Sequence, residues 1–383
     1  MNLLRLPPLS LYIHIPWCVQ KCPYCDFNSH SLKHDIPEAE YIARLLDDLR
    51  ADLDWVQGRP LQSIFIGGGT PSLISAAGIA RLLQGVQALI PFTEDCEITL
   101  EANPGTFETE RFAGFVQAGV TRLSIGVQSL NPHHLQTLGR IHDPHQAQAA
   151  AQHARQLPLH SFNLDLMHGL PQQTLAEAMA DVQCILALAP PHISWYQLTI
   201  EPNTAFASRP PKLPEDDTLW DIQEQGHAQL LAAGYEHYEI SAYAKPGHRS
   251  RHNLNYWRFG DYLGIGCGAH SKITLPDQNE VIRCEKIKHP QGYLDLTRPL
   301  RYRQWSVTPD ERPFEFFMNY FRLLEPVPKA DFEAFTGIPA EVADQLLQRG
   351  QQQGLVESSA DAWLTTERGR RYLNTLLDLL LEE

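Results

Sequence analysis

Apolar runs alternate with amphipathic stretches along the chain up to about residue 200. The runs are rich in Ile, Val, Leu, Phe and Tyr, and most end at Gly, Pro or Asn, which is typical of strands. Between them apolar residues recur at helical spacing, as in Ile79, Leu82 and Val86. Six strand–helix units in a row predict parallel strands joined by crossover helices. The predicted strands are residues 9–15, 63–66, 97–101, 122–127, 161–166 and 193–200.

Polar residues near the C-terminal ends of these strands favour one of two parallel architectures. A doubly wound sheet and a barrel both fit the alternation. A (β/α) barrel gathers its C-terminal strand ends on one face, where active sites lie. We therefore predict an α/β fold, a partial (β/α)6 TIM-like barrel that is open on one side for a large substrate. The polar residues that carry this prediction are Tyr12, His14, residues 67–70, Glu101, Asn103, Gln128, Asp165, His168 and Gln197.

The pattern changes after about residue 235. Extra strands with Gly-rich loops are predicted at residues 238–244, 260–272 and 281–285. From about residue 310 two helices, a short hairpin and a last helix follow one another, an order that resembles a winged-helix-like α+β module. These four segments are residues 314–323, 339–352, 354–365 and 367–381. We predict three parts, a core barrel of residues 1–235, a barrel extension of 236–306 and a C-terminal module of 307–383.

Charge and hydropathy restrict the function. The net charge of −14 argues against a nucleic-acid surface, which needs a basic stripe to displace counterions. Residues 310–383 carry 14 Asp or Glu against 7 Lys or Arg, so we expect the C-terminal module to pack on another domain. No run of 18 apolar residues predicts a transmembrane segment, and the first residues do not read as a signal peptide. The expected compartment is the cytoplasm, where free thiols persist.

Three cysteines, Cys18, Cys22 and Cys25, fall within eight residues at the spacing C-x3-C-x2-C. A zinc site usually has a second pair of ligands, and no second cysteine or cysteine–histidine pair at that spacing follows here. Seven cysteines are too few and odd in number for a disulfide framework. Iron–sulfur clusters are held by cysteine thiolates, normally four. Three thiolates would leave one iron of a [4Fe–4S] cluster open to the amino and carboxylate groups of S-adenosylmethionine (SAM).

Several polar groups at predicted strand ends are weak signals alone and stronger together. The turn at residues 67–70 follows a strand, and its glycines let a ligand approach backbone N–H groups. A tight strand–helix turn would explain it equally well in isolation. Two carboxylates, an amide and a guanidinium complete a set that suits a zwitterionic, adenosine-bearing ligand. They are Glu101, Asp165, Gln128 and Arg140.

These motifs resemble the radical SAM family, in particular the group that contains the oxygen-independent coproporphyrinogen III dehydrogenases, and most closely its heme-chaperone members. The resemblance spans nearly the whole chain and rests on YIHIPWCVQKCPYCDFNSH, IFIGGGTPS, EANPG, SIGVQS, LGRIH, FNLDLMHGLP, SWYQLTIEPNT and HNLNYWRFGDYLGIGCGAHS, together with the C-terminal module. It implies that the three clustered cysteines bind a [4Fe–4S] cluster. It also implies a SAM site lined by Tyr12, Gly68, Gly69, Thr70 and Glu101, and matches to second-SAM contacts at Tyr24, Gln128, Arg140 and Asp165.

Two features distinguish the chain within that family. The dehydrogenases have a further cysteine two positions after the third ligand, where this chain has Phe27. The segment HNLNY, which begins at His252, matches the pattern through which the chaperones are thought to bind heme. Neutral imidazole is a good axial ligand of heme iron, and Tyr256, Trp257 and Phe259 could pack on a porphyrin face. A histidine with a purely structural hydrogen bond is the simpler alternative.

Three functions stay open at this point. The favoured one is a heme chaperone that binds heme through His252 and passes it to an acceptor protein, for which a membrane-bound respiratory enzyme is a candidate. The second is a dehydrogenase that oxidatively decarboxylates coproporphyrinogen III, for which an intact SAM site would be required. The third is a winged helix that recognises nucleic acid, which the acidic balance argues against.

Overall fold

The computed structural model describes residues 4–105 and 110–381. Strands and helices alternate through the first two hundred residues, as predicted. The strands are β1 Leu9–Ile15, β2 Trp17–Cys18, β3 His30–Ser31, β4 Leu61–Gly68, β5 Phe92–Ala102, β6 Arg122–Gln128, β7 Ser161–His168, β8 His192–Gln197, β9 Glu236–Glu239, β10 Ala242–Ala244, β11 Asp261–Ile265, β12 His270–Leu275, β13 Glu280–Lys286, β14 Arg301–Val307, β15 Val327–Pro328, β16 Val356–Ser358 and β17 Ala362–Thr365.

The helices lie between these strands and after them. They are α1 Glu38–Ala51, α2 Ala76–Leu89, α3 Phe112–Gln117, α4 Pro132–Thr137, α5 Pro144–Gln156, α6 Leu175–Leu188, α7 Ala205–Ser208, α8 Asp216–Ala232, α9 Arg251–Trp257, α10 Pro290–Leu294, α11 Arg312–Tyr320, α12 Lys329–Thr336, α13 Ala340–Gln352, α14 Glu367–Arg371 and α15 Leu373–Asp378. In the described parts of the chain, no helix is both long and apolar enough to cross a bilayer.

One large sheet contains most of the strands, in the order β14-β13-β12-β11-β1-β4-β5-β6-β7-β8-β10-β9. The six predicted strands β1, β4, β5, β6, β7 and β8 are parallel neighbours, so the predicted α/β fold with parallel crossovers is confirmed. Strand β11 also pairs in parallel with β1 and so adds a seventh parallel strand to the six predicted ones. The strands β12, β13 and β14 then extend this edge in antiparallel fashion.

The helices cover the sheet and begin at strong local signals. Helix α6 starts with a capping box, in which Thr174 accepts from the Glu177 backbone and the Glu177 side chain accepts from the Thr174 backbone. Helix α5 starts with the same arrangement at Asp143 and Gln146. The apolar faces of the helices and one face of the central strands form one continuous core. The opposite face of these strands carries buried polar residues, among them Ser10, Ser63, Thr99, Ser124 and Asn163.

A buried ionic network fastens α1 to the antiparallel extension. The ammonium group of Lys286 pairs with the carboxylates of Asp48 and Asp52, and all three side chains are fully buried. Arg301 from β14 makes a second ion pair with Asp52 at 2.8 Å. Tyr293 donates a hydrogen bond to Asp48 at 2.7 Å. The network therefore holds strands β13 and β14 to the C-terminal end of helix α1.

The C-terminal module has a separate aromatic core that reaches into the barrel extension. Phe317 and Phe332 pack on the buried ring of Trp363. Phe316 packs on Phe332, and Phe259 contacts Phe316. Its small sheet has the order β15-β17-β16. The three-part division at residues 235 and 306 stays a prediction.

The predicted bounds differ from the structure mainly at polar segments. The single last helix predicted for residues 367–381 was wrong, since α14 and α15 are separated at Tyr372, whose φ of −113° and ψ of 41° are not helical. Strand β14 and helix α12 were not predicted. Most residues of β14 are exposed, so this edge strand lacks the apolar alternation on which strand prediction depends.

Candidate functional site

Cys18 is the last residue of β2, and Cys22 and Cys25 lie on the loop between β2 and β3, two short strands that pair in parallel. Cys18 is buried, Cys22 and Cys25 are half-buried, and all three thiols are free. The amide nitrogen of Asn28 fastens the end of this loop by donating to the backbone oxygens of Cys267 and Lys288, each at 2.9 Å. The three thiols line one cavity of about 460 Å³.

The three thiols share a cavity without converging on one point. Among the described residues, no three His, Cys, Asp or Glu side chains converge as the ligands of one metal ion would. In an iron–sulfur cluster each thiolate binds a different iron, so the sulfur atoms need not meet at one point. Three free thiols lining a shared cavity meet that weaker requirement.

A glycine turn at the end of β4 forms the next part of the cavity wall. Gly68 has a φ of +116°, which favours glycine, and its N–H donates to the Glu101 carboxylate at 3.0 Å. The backbone of Gly69 packs so closely on β2 that a Cβ atom there would lie 2.5 Å from the Trp17 oxygen. The N–H of Thr70 donates to that same oxygen at 2.7 Å. Glycine at position 69 thus holds the turn against the cysteine-bearing strand.

Charged and polar groups from three neighbouring strand ends face the same cavity. Burial, together with the charge of Asp165, raises the pKa of Glu101 to about 8. Burial also raises the pKa of Asp165. The Arg140 guanidinium donates to Asn103 Oδ1 at 2.7 Å and to the Gly126 oxygen at 2.8 Å. A cation beside two carboxyl groups with raised pKa values is an arrangement that a zwitterionic ligand could complete.

The structure brings most of the predicted site residues together. Eleven of them line the 460 Å³ cavity: Cys18, Cys22, Tyr24, Cys25, Gly68, Gly69, Thr70, Glu101, Gln128, Arg140 and Asp165. Tyr12 lines a second, neighbouring cavity. His252 lines neither cavity.

The second cavity has a volume of about 770 Å³, within the range of small-molecule sites. The two cavities adjoin, since six residues line both of them: Lys21, Asp26, Phe27, Ser29, Gly68 and Glu101. Aromatic rings and nitrogen-bearing side chains dominate the lining of the second cavity. They include Tyr12, Tyr256, Tyr262, His14, His30, His270 and Lys288.

His252 lies directly behind one of these aromatic rings. It is 3% exposed, and its Nδ1 atom is 3.0 Å from the Ser63 hydroxyl. Its ring centroid is 5.1 Å from that of Phe65 and 5.2 Å from that of Tyr256, which lines the second cavity. Burial lowers the pKa of His252 to about 3, so the imidazole is neutral, the form that binds metal.

Some cavity residues were missed by sequence reasoning. Tyr196 lines the first cavity and its hydroxyl donates to Gln128 at 2.9 Å. Its place near the end of β8 is the signal that could have found it. Tyr262 and His270 line the second cavity from β11 and β12. They were missed because β11 was not recognised as a seventh parallel strand.

Comparison with known proteins identifies the family. Residues 12–184 match the model of the radical SAM superfamily, and residues 307–372 match that of the HemN C-terminal domain. The heme chaperone HemW of Haemophilus influenzae is 59% identical over 383 residues, covering 99% of each chain. HemW of Escherichia coli is 57% identical over the full length of both chains. The chain belongs to the HemW family of radical SAM proteins.

A solved structure supports the fold independently. The coproporphyrinogen III oxidase HemN of Escherichia coli superimposes with a TM-score of 0.83 at 24% identity, covering 98% of this chain and 90% of that one. The predicted radical SAM fold is thereby confirmed, and the segment predicted as a winged-helix-like module matches the HemN C-terminal domain.

The radical SAM family implies a [4Fe–4S] cluster and SAM, and the cavity residues suit both groups. Free thiols supply the donors that iron requires. The Nε atom of Arg140 is buried without a hydrogen-bond partner among the described residues, so a donor is available to an anionic ligand group. The bound cluster would supply one-electron chemistry to SAM, while the chain supplies binding groups and the closed surroundings.

Proposed function

We propose that this chain is a heme chaperone, which binds heme and passes it to an acceptor protein. The observation that carries the proposal is the position of the HNLNY segment, the start of helix α9. Its His252 and Tyr256 lie one helical turn apart, and Tyr256 forms part of the wall of the 770 Å³ cavity. The relatives that are 57–59% identical over the whole chain carry the name heme chaperone.

Heme would reach His252 from the second cavity after a movement of Tyr256. The Tyr256 ring stacks on Tyr262 with centroids 4.1 Å apart, and both rings belong to the cavity wall. Removing Tyr256 from that stack would uncover the neutral imidazole behind it. The exposed porphyrin face would then pack against the remaining aromatic residues.

The first cavity would hold the cluster and SAM. We assign the cluster to Cys18, Cys22 and Cys25, and the SAM that accompanies it to the wall formed by Gly68, Gly69, Thr70 and Glu101, with Tyr12 reaching it from the second cavity. A further polar patch of the same cavity is formed by Tyr24, Gln128, Arg140 and Asp165. We assign this patch to contacts with a second SAM.

The shared wall gives SAM a route to control heme. Gly68 and Glu101 line both cavities, and the Gly68 N–H is hydrogen-bonded to the Glu101 carboxylate. A ligand that binds Glu101 from the first cavity therefore changes the surface that the second cavity offers. Linkage requires the reverse effect also, so heme binding would change the affinity for SAM by the same factor.

The acceptor and the compartment belong to the same proposal. We place the protein in the cytoplasm, with an acceptor protein that could be a membrane-bound respiratory enzyme. Heme transfer requires that the bond between His252 and the heme iron break. The buried hydrogen bond between His252 and Ser63 would compete with that bond and so favour the release of heme.

Porphyrinogen oxidation is the alternative, and one observation favours it. The predicted SAM contacts lie in one cavity with the three cysteines, as an enzyme of that kind would need. Phe27 argues against this alternative, since it stands where the dehydrogenases have a cysteine and is 57% exposed. Anaerobic incubation of the reconstituted protein with SAM and coproporphyrinogen III tests this alternative. Formation of protoporphyrinogen IX would support it, and its absence would contradict it.

The chaperone proposal is tested by titrating the protein with heme and following its absorption. We expect the spectrum of a histidine-ligated heme in the unmodified protein and its loss in H252A and H252Q. The glutamine variant retains a polar side chain beside Ser63, so it separates ligation from packing. The matched control is H145A, which removes an exposed histidine from α5. A heme spectrum that is the same in all four proteins would contradict ligation by His252.

A further inference from the structure

Arg140 makes a contact that a role in holding SAM does not explain. Its Nη1 atom lies 3.5 Å from the sulfur of Cys22, within hydrogen-bond distance for a sulfur acceptor. The two residues are 118 positions apart in the sequence, so the contact joins the cysteine loop to the segment that follows α4.

The guanidinium is held in place by two further hydrogen bonds. Its Nη2 atom donates to Asn103 Oδ1 at 2.7 Å and to the Gly126 oxygen at 2.8 Å. Asn103 follows β5 and Gly126 lies within β6, so both acceptors sit on the central sheet. The planar, rigid fork of arginine then directs Nη1 at the sulfur, which a flexible lysine could not do in the same way.

From these contacts we infer that Arg140 is a positioning residue that sets the reduction potential of the cluster through an N–H···S hydrogen bond to Cys22. The inference rests on the proposed assignment of the cluster to Cys18, Cys22 and Cys25. It is independent of heme binding.

The direction of the effect follows from charge. Reduction adds an electron to a cluster whose thiolate ligands are already negative, and hydrogen bonds to the sulfurs are among the factors that set its potential. A charged donor stabilises the reduced form more than the oxidised form, which raises the potential. The hydroxyl of Ser29 lies near the sulfur of Cys25, but this contact is uncharged and longer, at 3.8 Å. The Arg140 contact is therefore expected to have the larger influence.

Potentiometric titration of the reconstituted cluster, followed by electron paramagnetic resonance, measures this effect. We expect R140Q to titrate at a more negative potential than the unmodified protein and R140K to fall between them. The matched control R155Q removes an exposed arginine from α5 and should leave the potential unchanged. An R140Q protein with full iron content and an unchanged potential would overturn the inference.

A second measurement uses the unmodified sequence and does not depend on whether R140Q assembles its cluster. Protein labelled with 15N-arginine should show a nitrogen hyperfine coupling to the reduced cluster by electron spin echo spectroscopy, and R140K should lose it. No such coupling in the unmodified protein would also overturn the inference. Failure of the unmodified protein to form any cluster would refute the proposed cluster site instead, whereas the heme titration tests the chaperone proposal separately.

Discussion

Replacing Lys286 by Met tests whether the buried ionic network stabilises the fold. The Lys286 ammonium is fully buried between Asp48 and Asp52, and Met has a similar length without the charge. Asp52 keeps Arg301 as a partner at 2.8 Å. Within the described residues, Asp48 keeps the Tyr293 hydroxyl and the Gly266 N–H as partners, at 2.7 and 3.0 Å. The substitution therefore leaves one buried carboxylate without a cation.

The expected loss in the free energy of unfolding is about 3–5 kcal/mol, the usual effect of removing one partner of a buried ion pair. The loss should depend on pH. Burial raises the pKa of Asp48 above its usual range, and losing Lys286 removes the opposing effect of its charge, so the folded-state pKa rises further. A carboxyl whose folded pKa is raised costs stability once pH exceeds its unfolded pKa. The defect of K286M should accordingly be smaller at pH 5 than at pH 8.

Urea unfolding followed by circular dichroism at both pH values provides the measurement. The double variant D48N/K286M removes the unpaired charge and should recover a large part of the lost free energy. The control R155Q, on the exposed surface of α5, should change stability by less than about 0.5 kcal/mol. A K286M protein within about 1 kcal/mol of the unmodified one at pH 8, or a D48N/K286M protein as unstable as K286M, would refute the reasoning.

Three further predictions concern the cavities. Because the pKa of Glu101 is raised to about 8, SAM affinity measured by calorimetry should increase about tenfold between pH 7 and 9 as the carboxylate ionises. The variant E101Q should abolish that increase, and an unchanged pH dependence in E101Q would contradict the assignment of Glu101 to the SAM site. Y256A should accelerate heme association in stopped-flow absorption by roughly 2- to 10-fold, since an aromatic pair is worth about 0.5–1.5 kcal/mol; slower association would count against the proposed path. G69A should lower stability by about 1–3 kcal/mol and reduce the iron content of the reconstituted protein, because its Cβ would lie 2.5 Å from the Trp17 oxygen; full iron content would show that the turn can yield.

The parallel strands of the barrel were predictable because their sequence signal is local. Strand β1 has the bounds that the sequence predicts, since apolar residues occupy its alternate positions. Strand β14 and the interruption of the last helix at Tyr372 depend on tertiary contacts with the sheet edge and the module. Such contacts are not encoded in the periodicity of a short polar segment.

The site was predictable as a set but not as a geometry. The spacing of the cysteines and the polar strand ends indicated the residues that now line the first cavity. The burial of His252 behind Tyr256 could not be read from HNLNY, because helical spacing places both residues on one face without saying what covers that face. The contact of Arg140 with Cys22 likewise joins positions that only the fold brings together.

The central claim, that heme binds through His252, is tested most directly by resonance Raman spectroscopy of the ferrous heme complex. We predict an iron–histidine stretching band in the unmodified protein that shifts with 15N-histidine labelling and is absent from H252Q, while H145A retains it. An iron–histidine band that persists in H252Q, or a heme complex of the unmodified protein with no such band, would contradict the account.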